Sequence, residues 1–303
     1  MSILVAGTIA LDNIETPFGS MASTLGGSAT HFAAAASFYS RVNLVSVIGP
    51  DLDQRELDFL RQRHVDMRGV QVVEGSTFRW AGRYDYDMNS RETLETQLNV
   101  FTDFRPTIPD DYRRSQYIFL ANMDPEQQRL VLEQVDQPQL TLMDTMDLWI
   151  QTRREELVRT MRMVDMVTMN DSEVRMFGET ISLVAAARQV LELGPRAVLI
   201  KKGEHGALLF TRTNEYFAAP AYPLEDVRDP TGAGDSFAGG FLGFIAECGQ
   251  LNEDILKRAV IHGSAVASYT VEDYGVRRMR TLTRSEIDRR YQEFRTFTHF
   301  EPI

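Results

Sequence analysis

The sequence predicts an α/β fold, a doubly wound, mostly parallel sheet flanked by helices, with a small antiparallel β lid. Three observations carry that expectation. Short apolar runs recur along the 303 residues, segments with helical spacing follow most of them, and one stretch at 75–104 breaks the rhythm with alternating polarity. Strands alternating with helices imply a parallel sheet covered on both faces, whose strands read as unbroken apolar runs.

In order, "ILVAG" (3–7) reads as a buried strand and "SATHFAAAASFYS" (28–40) as a helix. "VNLVSVIG" (42–49) is a second strand, followed by the polar helix "DQRELDFLRQRH" (53–64). Strands follow at 115–122, 139–144 and 166–170, and helical segments at 125–135, 151–163 and 180–193. "RAVLIKKG" (196–203) and "GALLFTR" (206–212) form two strands joined at "GEHG". The 75–104 stretch, rich in Thr, Tyr, Trp and Arg, joins residues of about 12–20 in a small sheet. A half-exposed sheet bearing aromatic residues fits a lid, an edge decoration or an oligomer contact. Without repeats or a long linker, 1–303 is expected to be one domain carrying this insertion.

Apolar residues make up 43% and charged residues 25%, enough for a sizeable core. A net charge of −11 excludes a general nucleic-acid or membrane-surface binder, which needs clustered Lys and Arg, but leaves room for a small anionic ligand. Cys248, the single cysteine, excludes a disulfide framework or a cysteine zinc site within one chain. "MSILVAGTIALD" lacks a basic flank and a long apolar run, so neither a signal peptide nor a membrane span is expected, and the cytoplasm is the expected location.

The chemistry concentrates at "DPTGAGDSFAGGF" (229–241). Phe237, Phe241, Phe244 and Cys248 share one face of a helix starting near Ala233. The turn Pro230–Gly234 leaves backbone N–H groups free at that helix N-terminus, where the dipole also favours an anion. Asp235 in the first turn fits a helix cap. It also fits a base that takes a hydroxyl proton while the N–H groups hold the phosphoryl group under attack. Two other glycine motifs fail: there is no G-x-x-x-x-G-K-[ST], and "GAGDSF" places Phe237 where a dinucleotide fingerprint needs Gly.

"DPTGAGDSFAGGF" closely resembles the C-terminal signature of the ribokinase-like (PfkB) carbohydrate kinases. "GGSATHFAAAASFYSRVNLVSVIGPD" (26–51) resembles their N-terminal signature, "NDSE" (170–173) their N-x-x-E motif, and "KKGEHGALLF" (201–210) the strand-turn-strand before the nucleotide site. The four occur in the family's order across nearly the whole chain. The resemblance implies a ribokinase-like kinase, using ATP and Mg²⁺, that phosphorylates a hydroxymethyl group of a small polyol. Asp235 would be the general base, with the N–H groups of Gly232, Ala233 and Gly234 as the anion hole. Asn170 and Glu173 would organise Mg²⁺ and phosphates, partly through water, although "NDSE" also reads as a capping box. Lys202, Gly203 and Gly206 would border the nucleotide, although a hairpin turn explains those glycines equally well.

For the acceptor, the resemblance points to Asp12, a carboxylate able to accept two hydroxyl hydrogen bonds, with Gly26 and Gly27 allowing close approach and Asp124 at a sugar-contacting position. His262, Gly263 and Ser264 would line the purine pocket, or serve only to pack small residues between helices. Asp229 and Thr231 match the place where some relatives hold a monovalent cation, which makes K⁺ a candidate.

The chain departs from the pattern at three positions. Ala10 stands where ribose kinases carry Asn, His31 replaces the usual Asn of the Gly-Gly motif, and Ser28 replaces a Lys found in some members. Ribose itself is therefore disfavoured, and so is a phosphosugar unless Arg79, Arg83 or Arg91 of the lid supplies a cation near its phosphate. His31 has two readings, a packing residue in the helix or a donor to a substrate hydroxyl. A free sugar or polyol is the leading acceptor, with a nucleoside as rival because Trp80, Tyr84 and Tyr86 could stack on a ring. Outside catalysis, a sugar- or nucleotide-binding sensor on the same fold is the alternative, and a homodimer through the lid strands is a candidate.

Overall fold

The computed structural model describes residues 1–213 and 215–299; the end of the expected domain, 300–303, lies outside the described residues. Strands β1 (Ser2–Ala6), β2 (Ala10–Thr16) and β3 (Gly19–Gly26) precede helix α1 (Ser28–Ala36). Then come β4 (Arg41–Ile48), α2 (Asp58–Gln62), β5 (Val65–Val72) and the hairpin of β6 (Phe78–Tyr84) and β7 (Arg91–Gln97). The middle runs β8 (Tyr117–Leu120), α3 (Pro125–Leu132), β9 (Leu140–Met143), α4 (Asp147–Thr152), α5 (Arg154–Met161) and β10 (Met166–Asn170). Helices α6 (Asp171–Gly178) and α7 (Leu183–Leu193) lead to β11 (Ala197–Lys201), β12 (Ala207–Thr211) and β13 (Tyr216–Ala219). Helices α8 (Ala233–Cys248), α9 (Glu253–Thr270), α10 (Arg277–Thr281) and α11 (Arg284–Phe297) complete the chain.

Nine strands form the main sheet in the order β13-β12-β11-β10-β9-β8-β1-β4-β5. It is parallel from β5 to β11, and β12 is antiparallel to both of its neighbours. Side-chain alternation along β1 explains its two-sided burial. Ile3 and Val5 enter a core with Phe32 of α1, Phe241 of α8 and Val260 of α9, whereas Leu4 and Ala6 face Val131, Leu157 and Val174. Phe32 stacks on Phe119 at 4.1 Å, so Phe32→Ala should cost about 3–5 kcal/mol. A Cβ on Gly239 would lie 2.5 Å from the Phe32 carbonyl oxygen, so α8 meets α1 backbone to backbone. That contact fixes the start of α8 beside the start of α1.

The second sheet has the order β3-β2-β6-β7. Its two hairpins are antiparallel as expected, but they join through the parallel pair β2–β6. Strand β3 corrects the expected limit of about residue 20: "GSMASTLG" has little β-propensity and becomes a strand through pairing with β2. On the other side the lid strands occupy 78–97, inside the expected 75–104. At the root, Thr77 Oγ1 accepts from Gly49 N–H (3.0 Å), and Asp51 Oδ1 accepts from Thr77 N–H (2.8 Å).

Other boundaries shift for local reasons. The expected helix at 28–40 stops at Ala36, where the Ser37 hydroxyl turns back to the Ala34 carbonyl at 2.8 Å. The expected helix at 151–163 is two helices meeting at Arg153, whose φ of −134° is not helical. Strands β5 and β13 were not expected, and both are sheet edges whose exposed positions weaken the apolar signal. Among the described residues, no helix is long and apolar enough to cross a membrane.

Candidate active site

The turn before α8 has the backbone that its glycines suggest. Gly232 is the N-cap, in the left-handed region at φ +75°. The ladder of α8 begins with Ser236 N–H donating to the Gly232 carbonyl at 2.9 Å, so the N–H groups of Gly232, Ala233 and Gly234 precede it. Ala233 N–H turns back to the Pro230 carbonyl at 3.2 Å, which narrows the free donors expected there. Below the turn lies His31. A Cβ on Gly232 would fall 2.3–2.4 Å from three atoms of its ring. The imidazole is 1% exposed and neither nitrogen has a hydrogen-bond partner, while burial lowers its pKa to about 4, so the ring is neutral.

Asp235 faces the same space from the first turn of α8. Burial and the Asp144 carboxylate raise its pKa to about 7, opposed by Lys201 and Arg91. A carboxylate so placed titrates near neutral pH, as a general base should. Asp229 is fully buried and steadies the turn: Oδ1 accepts from Thr231 N–H and Oδ2 from Gly275 N–H, both at 2.8 Å.

Asp12 lies on β2, 4% exposed, with its pKa raised to about 8 by burial and by Asp229, and lowered in part by the Gly27 N–H bond. A Cβ on Gly26 would lie 1.9 Å from Asp12 Oδ2. The space expected for a substrate at Gly26 is therefore occupied by the Asp12 carboxylate itself. Gly27, at φ +94°, brings the start of α1 against the Thr8 carbonyl, where a Cβ would lie 2.5 Å away.

Parallel pairing sets Asp12 beside Trp80, and residues paired across strands share a face. The Trp80 indole lies along that face, over Gly82, where a Cβ would meet it at 2.0 Å. Tyr84 follows two residues later, and its hydroxyl accepts from Thr231 Oγ1 at 3.1 Å, joining the lid to the glycine turn. Further along, Asn89 Nδ2 donates to Glu204 Oε1 at 3.0 Å, so the lid loop also reaches the turn at 203–206. Of the three lid arginines, Arg79 pairs with Asp51 and Arg83 with Glu15. Arg91 instead lies over the Trp80 ring at 5.4 Å, and its charge is felt at Asp235 and Glu173. Tyr86 points outward, 81% exposed.

The N-x-x-E residues form a complete capping box. Asn170 Oδ1 accepts from Glu173 N–H and Glu173 Oε2 accepts from Asn170 N–H, both at 2.7 Å. Glu173 is buried, and burial with the Asp144 charge raises it to about 8. Capping leaves its Oε1 without a hydrogen bond, a fit for a water of a hydrated cation. Among the described residues, no cluster of three or more His, Cys, Asp or Glu could itself hold a metal.

The remaining expected contacts have partners within the fold. Lys202 sends its ammonium to the His205 carbonyl at 3.4 Å, away from the glycine turn. Its neighbour Lys201 points inward, with Nζ 2.7 Å from Asp144 Oδ2, because adjacent strand residues take opposite faces. Gly203 (φ +55°) and Gly206 (φ +82°) shape the hairpin turn, closed by Lys202 N–H donating to Gly206 carbonyl at 2.8 Å. His262 lies between Phe244 and Tyr291, at ring distances of 4.0 and 4.3 Å, with Tyr39 Oη at 3.1 Å from its Nδ1. A Cβ on Gly263 would lie 2.8 Å from the Phe237 carbonyl, and Ser264 is buried, so this stretch packs α9 on α8. Asp124 caps α3, accepting from Glu126 N–H at 2.8 Å, with Arg153 Nε at 3.5 Å. Sequence reasoning missed Lys201, Asp144 and the Trp80–Gly82 stack.

A glycine turn at a helix N-terminus with a half-buried carboxylate in its first turn, under a lid strand that carries a second buried acid, is the arrangement of a phosphotransferase acting on an alcohol. The profile of the pfkB family carbohydrate kinases matches residues 12–282, and the chain belongs to that family. A cytidine kinase from Thermococcus kodakarensis is 29% identical over 245 residues, 80% of this chain and 87% of the relative. The ribokinase of Giardia lamblia superposes with a TM-score of 0.81 at 17% identity, over 97% of this chain and 99% of that one. Aminoimidazole riboside kinase from Salmonella enterica, complexed with aminoimidazole riboside and an ATP analog, superposes at 0.75 and 19% identity, over 96% and 100%. The fold is ribokinase-like, and the enzyme is a PfkB-family kinase.

Proposed function

We propose that this kinase transfers the γ-phosphoryl group of ATP to the hydroxymethyl group of a nucleoside. The observation that carries this reading is the Trp80 indole laid over Gly82 beside Asp12. A nucleobase offers that ring a wider π face than the C–H face of a free sugar or polyol, the acceptor favoured on sequence alone. The cytidine kinase and riboside kinase relatives support the same ordering.

In this mechanism Asp12 accepts hydrogen bonds from the ribose hydroxyls and Trp80 covers the base. Asp235 takes the proton of the attacking hydroxyl. The backbone donors at Gly232 and Gly234 face the oxygens where negative charge gathers, and removing one such donor can cost about 10²-fold in rate. Lid contacts at Tyr84 and Asn89 close the site to water, which would otherwise compete as acceptor. ATP would supply the phosphoryl group; Mg²⁺, when bound, would supply charge neutralisation, and Glu173 would hold it through water. The cytoplasm suits this activity. The unpaired lid edges β3 and β7 suit a homodimer contact.

The test is ADP release over cytidine, uridine, adenosine, inosine, ribose and deoxyribose. At least one nucleoside should exceed both free sugars in kcat/KM by about 10-fold or more, and a free sugar that matches every nucleoside refutes the reading.

A further inference from the structure

Lys201 ends strand β11, and its ammonium lies beneath the glycine turn: a Cβ on Gly234 would sit 3.1 Å from Nζ. Its side chain is 14% exposed and that of its partner Asp144 is 6% exposed. Burial opposes the charge, but Asp144, Glu173 and Asp235 together outweigh it and hold the ammonium form. An ion pair taken out of water contributes little net stability, so stability alone does not explain this one.

The local charge balance does explain it. Asp12, Asp144, Glu173, Asp229 and Asp235 share this end of the sheet, and a polyphosphate approaching five carboxyl groups needs a cation on the protein. Arg91 offers one from the exposed lid, and Lys201 offers one from the floor. We propose that Lys201 is a catalytic residue whose ammonium leaves Asp144 to contact the donor phosphate oxygens at the Gly234 side of the turn. Asp144 is its parking counter-ion. This proposal rests on the reading of the chain as a kinase that uses a nucleoside triphosphate.

Lys201→Met strands a buried carboxylate, so the deciding protein is Lys201→Met/Asp144→Asn, which removes both charges of the pair. If Lys201 contacts phosphate, kcat of the double variant stays about 10²-fold below wild type. If the pair is only structural, the double variant returns to within about threefold of wild type, and the proposal is overturned. Should the double variant not fold, Lys201→Arg decides, because arginine keeps the charge and can still pair with Asp144. A kcat loss of about 10-fold or more supports the phosphate contact, since a planar guanidinium does not replace a compact ammonium in that space, and wild-type kcat overturns it. If wild type phosphorylates no acceptor, the functional reading fails separately, and binding decides the lysine by calorimetry with Mg²⁺ and a non-hydrolysable ATP analogue. A double variant, or Lys201→Arg in its place, that binds the analogue about 10-fold more weakly supports the contact, and unchanged affinity overturns it.

Discussion

The glycine turn and the lid meet at one hydrogen bond, Tyr84 to Thr231, yet they are built on different principles. The turn is made of backbone: a left-handed Gly232, a helix N-terminus, and a neutral His31 ring filling the only space a Cβ could take. The lid is made of side-chain register, in which a parallel pairing sets Asp12 beside Trp80 and the missing side chain of Gly82 lets the indole lie down. In the proposed mechanism the first arrangement holds the phosphoryl group, and the second selects who receives it. Changes in the turn should therefore abolish transfer, and changes in the lid should redistribute it among acceptors.

The largest effect belongs to Asp235→Asn, which should lower kcat by about 10³-fold while nucleotide affinity stays within threefold. Gly232→Ala comes next. It combines a φ of +75° with a Cβ inside the His31 ring, so thermal or denaturant unfolding should show a loss of about 2–4 kcal/mol along with reduced turnover. Asp12→Asn should raise the acceptor KM by about 10-fold and leave nucleotide binding alone, because it replaces one of the two carboxyl oxygens proposed to meet the ribose hydroxyls by an NH2 group. Smallest is Tyr84→Phe, which removes one neutral hydrogen bond worth about 0.5–1.5 kcal/mol and should change kcat/KM by no more than about 10-fold. An acceptor-independent collapse in Tyr84→Phe or Asp12→Asn would erase the contrast between the regions.

The pH dependence sharpens the same contrast. Asp235 must be ionised to accept a proton, and burial and Asp144 raise its pKa to about 7. Activity should therefore fall as the pH drops through about 7 rather than through the usual carboxylate range near 4. A kcat/KM profile flat from pH 5 to 8 contradicts this assignment.

These two principles also explain what the sequence disclosed. The glycine turn was legible because its requirements are local: Gly at a positive φ, then an acid in the first helical turn, are adjacent in the chain. The apolar run of β1 and the long apolar face of α8 were legible for the same reason. The choice between Lys201 and Lys202 was not, because both sit at a strand end and only pairing with β10 and β12 decides which one faces inward. Strand β3 was hidden because its small polar residues become a strand only beside β2. His262 resembled a ligand contact, but Phe244 and Tyr291, distant in sequence, enclose it in packing. Arg79, Arg83 and Arg91 were indistinguishable until Asp51 and Glu15 claimed two of them.

The central claim is that the lid face beside Asp12 selects a nucleoside, and one ratio tests it most directly. It is kcat/KM for the best nucleoside over kcat/KM for ribose, measured in wild type and in Trp80→Ala. A base stacked on the indole is worth about 1–3 kcal/mol, so the ratio should fall by about 5- to 160-fold through loss of the nucleoside term alone. An unchanged ratio, with both acceptors slowed equally, contradicts the account and makes Trp80 a structural part of the lid.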